Sequence, residues 1–315
     1  MVTLLIIKIM ENKTFYEIST EWKLMKQSYV KKTTYSAYNL IIVNHLLPYF
    51  KDKTSINEAD VQEFAISKLN DGLSSKSIKD ILIVLKMIIT YGNKHGFHCL
   101  TDWNIQLPTN QRKRSIEVFN LDVQRKIMKY IKANFTFRNL GIYLCLSTGL
   151  RIGEICALQW KDIDINSGLI TVSKTIGRIY LIDDNNNKHT EVIIDTPKNS
   201  NRDIPISNNL IKILRPFKKV VNPQYYVLSN DSTPIEPRTY RNYYKKLIKT
   251  LNIPDLKFHS LRHSFATRCI ECNCDYKTVS VLLGHSNIST TLNLYVHPNI
   301  DQKRKCINKM IKTLE

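Results

Sequence analysis

No stretch of this chain supplies the roughly 20 apolar residues needed to cross a bilayer, so no membrane-spanning helix is expected. Met1–Met10 is apolar apart from Thr3 and Lys8. It lacks the positive charge before and the small-residue cleavage site after that a secretory signal requires. It reads as an extra strand or a disordered lead, with Met10 an alternative start. The seven cysteines are an odd number without a secretory signal. They are therefore expected as reduced thiols in a cytosolic protein. Cys269, Cys272 and Cys274 form C-x-x-C-x-C with no second pair, so no metal site and no cofactor are expected. Cys145, Cys156 and Cys269 read as small buried hydrophobes. There is no internal repeat and no low-complexity block.

Arginine is absent before position 112, and acidic residues are scarce overall. The formal net charge is +19, from 46 Lys+Arg against 27 Asp+Glu. Residues 1–110 hold 13 basic and 10 acidic side chains, a net of +3, and the remainder carries +16. Arginine's planar fork matches phosphate oxygens better than lysine's point charge. A basic excess of this kind points to a polyanionic partner, nucleic acid first. A solvated or membrane-facing basic surface is the plain alternative.

The periodicity divides the chain. Residues 14–95 predict a four-helix bundle over Phe15–Tyr29, Thr33–Leu47 (stopping at Pro48), Asn57–Leu69 and Ser75–His95. Lys31, Lys32, Lys76, Lys79 and Lys86 are candidate phosphate contacts from it. Residues 101–116 read as a polar, basic linker. Helices are then expected over Leu121–Ala133 and Phe137–Ser147, capped by Asn120 and Thr136, and over Leu150–Leu158. Leu169–Ser173, Glu191–Thr196 and Asp203–Ile206 have strand character, with polar turns at Asp183–Lys188 and Pro197–Asn201. Six helices follow: Asn209–Val220, Pro237–Leu251, Ser260–Glu271, Asp275–Leu283, Ser289–Val296 and Asp301–Leu314. The last has an apolar stripe that needs a partner. The class is mainly α with a small antiparallel β-sheet. Boundaries are expected at 11–100, 101–116 and 117–315, with a tail helix at 300–315.

Reactive residue types recur in order along the second part. Thr148-Gly149-Leu150-Arg151-Ile152-Gly153-Glu154 is followed by His259-Ser260-Leu261-Arg262-His263, by Leu282-Leu283-Gly284-His285, and by Thr290-Thr291-Leu292-Asn293-Leu294-Tyr295. Splitting a phosphodiester without a metal needs cations on its non-bridging oxygens. Arg151 and Arg262 are candidates for that, Tyr295 for the nucleophile and His259 for its base. His285 is a candidate phosphoryl donor, and Lys198 a proton source for the departing 5′ oxygen. A covalent phosphotyrosine would conserve the bond energy for rejoining. Each residue alone has a plainer reading. Arg151 pairs with Glu154, Arg262 makes a structural ion pair, Lys198 is a turn lysine, and Tyr295 is core or surface.

The ordered set resembles the active-site signature of the tyrosine recombinases, the phage-integrase family, from about residue 112 to 300. That resemblance implies a helical core-binding domain followed by an α+β catalytic domain. It implies that Arg151, Lys198, His259, Arg262, His285 and Tyr295 are catalytic, with Glu154 bracing them. It also implies a homo-tetramer on double-stranded DNA with specific sites and exchange of the C-terminal helix between protomers. Strand exchange would run through a Holliday junction without metal or ATP, with accessory DNA-bending or directionality factors as further partners. Lys174, Arg178, Arg238, Arg241, Lys245 and Lys246 are additional candidate DNA contacts. Only about a dozen residues precede Phe15, where many integrases carry an arm-binding domain, so a two-domain member or a lost arm domain is expected. A type IB topoisomerase, a DNA-binding factor with a decayed site and, more distantly, a zinc hydrolase are the competing readings.

Overall fold

The computed structural model describes residues 13–97, 99, 102–108, 116–182, 187–197, 201–295 and 300–314. The chain forms two compact units, Met1–Lys113 with Ile179–Glu191, and Arg114–Arg178 with Val192–Glu315. The expected lead at 1–10 and half of the expected linker, 101 and 109–115, lie outside the described residues.

The first unit contains α1 (Phe15–Tyr29), α2 (Lys32–Ile41), α3 (Leu47–Phe50), α4 (Glu58–Asn70) and α5 (Ser75–Gly92). Phe15, Ile18 and Trp22 fall on one face of α1 and are buried against Ile42, Phe50, Phe64, Leu85 and Ile88. Helix starts are encoded locally. Thr14 Oγ1 accepts from the Glu17 amide, and the Glu17 carboxylate accepts from the Thr14 amide. Asn57 and Asp60 do the same for α4. The second helix does not stop at Pro48. A π turn, Ile42–Leu46, joins α2 to α3, and Pro48 sits in the first turn of α3. Early helical positions need no intrahelical N–H, so proline is tolerated there. Residues 179–191 were expected with the catalytic part. They group instead with the helical unit, where Ser36 Oγ donates to the Tyr180 carbonyl at 2.6 Å and Lys188 Nζ to Asn44 at 2.8 Å.

The second unit begins with α6 (Leu121–Ala133), α7 (Phe137–Thr148) and the short α8 (Ile152–Ala157). Asn120 and Thr136 cap the first two through their side chains. Strands follow: β1 (Ile163–Asp164), β2 (Leu169–Val172), β3 (Thr175–Ile182), β4 (Lys188–Asp195) and β5 (Arg202–Pro205). β2 is central in a three-stranded antiparallel sheet, with Ile170 opposite both Ile163 of β1 and Ile204 of β5. β3 and β4 form a separate pair. β1 and β3 were not expected, because Gly177 and Arg178 interrupt the apolar alternation of β3.

The remaining helices are α9 (Asn208–Lys218), α10 (Pro237–Thr250), α11 (His259–Glu271), α12 (Tyr276–Leu283), α13 (Ile288–Tyr295) and α14 (Ile300–Ile311). α11 packs along α7. Trp160, Tyr240, Tyr244, Leu144, Ile155, Ile204 and Leu261 are buried in the shared core.

α7 ends at Gly149, whose φ of +70° is left-handed. A Cβ there would lie 2.5 Å from Phe265 of α11 and 2.8 Å from Leu283 of α12. Gly149→Ala is therefore expected to destabilise the second unit by roughly 2–4 kcal/mol, from backbone strain plus overpacking. Chemical denaturation monitored through that unit measures it, and an unchanged midpoint would refute the packing described.

Candidate active site

Four loop and helix ends of the second unit converge. Arg151 is not inside α8, as the helical reading had it, but is the extended residue that precedes it (φ −73°, ψ 151°). This places its amide and its guanidinium on the same carboxylate. Glu154 Oε2 accepts from the Arg151 amide at 2.8 Å, and Oε1 accepts from Arg151 Nη1 at 2.9 Å. The other side of Glu154 is held by Arg202, whose Nη1 and Nη2 donate at 3.0 and 2.8 Å. The Glu154 side chain is 2% exposed. Burial alone would raise its pKa, but the Arg202 hydrogen bonds and the charges of Arg202 and Arg151 hold it below the usual carboxylate range.

Arg262 lies on the first turn of α11 and is 1% exposed. Its Nη1 donates to Gly149 O at 2.7 Å and its Nη2 to Leu283 O at 2.6 Å. Burial, then the positive Arg151, lowers its pKa to about 10, so it stays charged near neutral pH. Gly284 follows α12 with φ +63°, as the sharp turn before His285 requires. Arg151 Nη2 donates to Gly284 O at 2.9 Å.

The histidines seat α13. Thr291 and Tyr295 are one helical turn apart, so they share a face, and both are buried. His285 Nδ1 is 2.8 Å from Thr291 Oγ1. His263 Nδ1 is 2.5 Å from Tyr295 Oη. With the phenol donating, the His263 proton sits on Nε2. His259, expected to partner the phenol, instead stands edge-on to His263 with ring centroids 4.5 Å apart. Burial pushes the Tyr295 phenol up to about 12, against the pull of Arg262 and Arg151. It is therefore neutral at pH 7 and needs a base. Desolvation, then the neighbouring cations and rings, lowers both His259 and His285 to about 4. His259 is nonetheless exposed at the surface of the site, so its cationic neighbours carry weight beside burial.

Thr291, His263 and Arg202 are engaged here but were not assigned from the sequence. His263 was visible beside Arg262 but without a role. Arg202 had a signal in strand parity: it shares a face of β5 with buried Ile204, while Asp203 and Pro205 point out. An inward arginine needs a buried acid, and Glu154 is that acid. Lys198 lies outside the described residues.

Residues 117–302 match the phage integrase family, and residues 14–69 match the phage integrase N-terminal SAM-like domain. The chain belongs to the phage integrase family. It is a tyrosine-type site-specific recombinase. It is similar to a XerC-like tyrosine recombinase of Caldanaerobacter subterraneus subsp. tengcongensis, 30% identical over 279 residues that cover 81% of this chain and 71% of that one. It is also similar to an ICEBs1 integrase of Bacillus subtilis, 24% identical over 307 residues, covering 89% and 78%. Among solved structures, the Tn1549 transposon integrase in complex with transposon right end DNA matches with a TM-score of 0.75 and 21% identity, over 95% of this chain and 100% of that chain. At that identity the likeness is one of fold.

The other basic residues of the recombinase divide into two groups. Arg238, Arg241 and Lys245 are exposed along one face of α10, at spacings of three and four. Lys31, Lys32, Lys76 and Lys79 are exposed on the helical unit. Arg178, a candidate DNA contact from the sequence, is engaged by an acid of its own unit. Its Nε and Nη2 donate to both Glu236 oxygens, at 2.7 and 2.5 Å, so it braces the middle of β3 against the start of α10. Lys174 Nζ likewise donates to Gln159 at 2.9 Å. No described helix is long and apolar enough to cross a membrane.

The low histidine pKa values have a definite sign. The unfolded chain binds protons at imidazoles near pH 6.5, whereas folded His259 and His285 do so near 4. Folding stability is therefore expected to fall as pH drops from about 6.5 towards 4. Histidine ring resonances measured by NMR in the DNA-free protein are expected to show these two rings neutral at pH 5. Midpoints above 6 would refute it.

Proposed function

We propose that Tyr295 is the nucleophile of a reversible strand cleavage at specific recombination sites in duplex DNA, and that the surrounding residues act as follows. Arg151 and Arg262 neutralise the non-bridging oxygens of the scissile phosphate, with Glu154 fixing Arg151. His263 accepts the phenol proton, the part the sequence reading gave to His259. His259 and His285 donate to the phosphoryl oxygens. Tyr295 Oη bonds to phosphorus, the bond to the 5′ oxygen breaks, and the 3′ phosphate remains on the tyrosine. Lys198 supplies the proton that the 5′ oxygen takes. The incoming 5′ hydroxyl of another strand reverses each step, through a Holliday junction, so rejoining needs no ATP. The His263–Tyr295 hydrogen bond of 2.5 Å supports this reading most directly, because it pairs the one buried phenol in the cluster with a base.

The assembly is a homo-tetramer on two duplexes. α14 supports that proposal, since Ile307, Met310 and Ile311 are exposed along it. A neighbouring protomer would cover them. Accessory DNA-bending or directionality factors complete the expected partners.

The decisive experiment mixes the protein with nicked duplexes from the DNA flanking its gene, with EDTA present, on a denaturing gel. A covalent protein–DNA band is expected, absent in Tyr295→Phe. Arg151→Ala is expected to slow its formation about 10²–10³-fold, and His263→Ala about 10²–10⁴-fold with duplex affinity kept. A band that persists in Tyr295→Phe would overturn the assignment.

A further inference from the structure

Three consecutive carbonyls at the end of α12 each accept from a different arginine. Arg202 Nε donates to Leu282 O at 3.1 Å, Arg262 Nη2 to Leu283 O at 2.6 Å, and Arg151 Nη2 to Gly284 O at 2.9 Å. Arg262 and Arg151 belong to the phosphate-binding set proposed above. Arg202 does not, because its side chain is 8% exposed and its Nε and both Nη atoms are engaged inside the protein.

Its position nonetheless controls both neighbours of the phosphate site. On one side it holds both oxygens of Glu154, whose opposite edge aligns Arg151. On the other it holds the last turn of α12, from which His285 emerges. The Gly284 backbone rests on the guanidinium: a Cβ there would lie 3.0 Å from Arg202 Cζ and Nη1. Cations at a helix C-terminus also complement the helix dipole.

We infer that Arg202 is a positioning residue for strand cleavage, setting where Arg151 and His285 stand by gripping Glu154 and the Leu282 carbonyl together. The inference rests on the roles proposed above for Arg151, His285 and Tyr295. A merely structural Arg202 would only neutralise Glu154, and a lysine would serve as well. A lysine ammonium is a point charge and cannot reproduce the three-way fork.

The test compares wild type with Arg202→Lys in single-turnover cleavage of the nicked duplex at saturating protein, alongside duplex affinity and thermal unfolding. Arg202→Lys is expected to fold and to bind duplex as wild type, while cleaving about 10²-fold more slowly, the loss that follows small misplacements of catalytic groups. In an Arg151→Lys background the same change is expected to cost clearly less than the about 10²-fold seen in wild type, since the part that runs through Arg151 is already lost and only the part through His285 remains. Wild-type cleavage by folded Arg202→Lys, or losses that multiply in full, would overturn the inference. Should Arg202→Lys not fold, Arg202→Gln, whose amide can still donate to Glu154, carries the same expectations and leaves Glu154 in place. Wild-type protein that forms no Tyr295-dependent adduct would instead overturn the underlying roles, and the inference with them.

Discussion

A single carboxylate organises the catalytic unit. Glu154 is almost wholly buried and accepts four hydrogen bonds, two from Arg151 and two from Arg202. Taking such charges out of water costs several kcal/mol per ion, and the arrangement holds only when each lone pair is matched. Glu154 meets that condition from both sides, and so ties the start of α8 to the start of β5. Three buried or half-buried arginines against one carboxylate leave a surplus of positive charge in the cleft. Burial first, and that surplus after it, lower the pKa of Arg262, His259 and His285, and the surplus is the field an anionic phosphate would enter.

The free enzyme therefore rests in a defined protonation state. Its phenol is neutral, its imidazoles are neutral, and its guanidiniums are turned partly onto backbone carbonyls of α12. Entry of a phosphodiester would add negative charge, raise the proton affinity of the histidines and give the arginines better acceptors than neutral carbonyls. α13 is seated through Thr291 on His285 and Tyr295 on His263. The histidines of the site thus also hold the helix that bears Tyr295, the proposed nucleophile, which would couple its placement to site electrostatics.

The fold supplies the rigidity this requires. α7 and α11 pack closely because Gly149 carries no Cβ, and its carbonyl becomes a ligand for Arg262. Trp160, Tyr240 and Tyr244 fill the centre of the unit, so the short helix α8 and the sheet edge carrying Arg202 stand on a packed base. Arginine geometry matters at each of these contacts, since a guanidinium fork spans two acceptors that an ammonium cannot.

The sequence by itself determined the local elements and the ordered residue types that carry the family resemblance. Apolar spacing located α1, α6, α7 and α10 to within a residue or so, and Asn120 and Thr136 marked the starts of α6 and α7, because periodicity and capping act within a few positions. The order of Arg151, His259, Arg262, His285 and Tyr295 carried the family resemblance, and Gly284 announced its turn. Tertiary structure alone decided that the helix runs on through Pro48 by way of a π turn, that Arg151 precedes α8 rather than lying in it, and that Arg178 is held by Glu236. It also decided that His263 rather than His259 meets the phenol, and that Arg202 grips Glu154. The His263–Tyr295, Arg202–Glu154 and Arg178–Glu236 contacts join groups 32, 48 and 58 positions apart. Hydrogen-bond partners at such separations are selected by the packing of whole helices and strands, which no local period records.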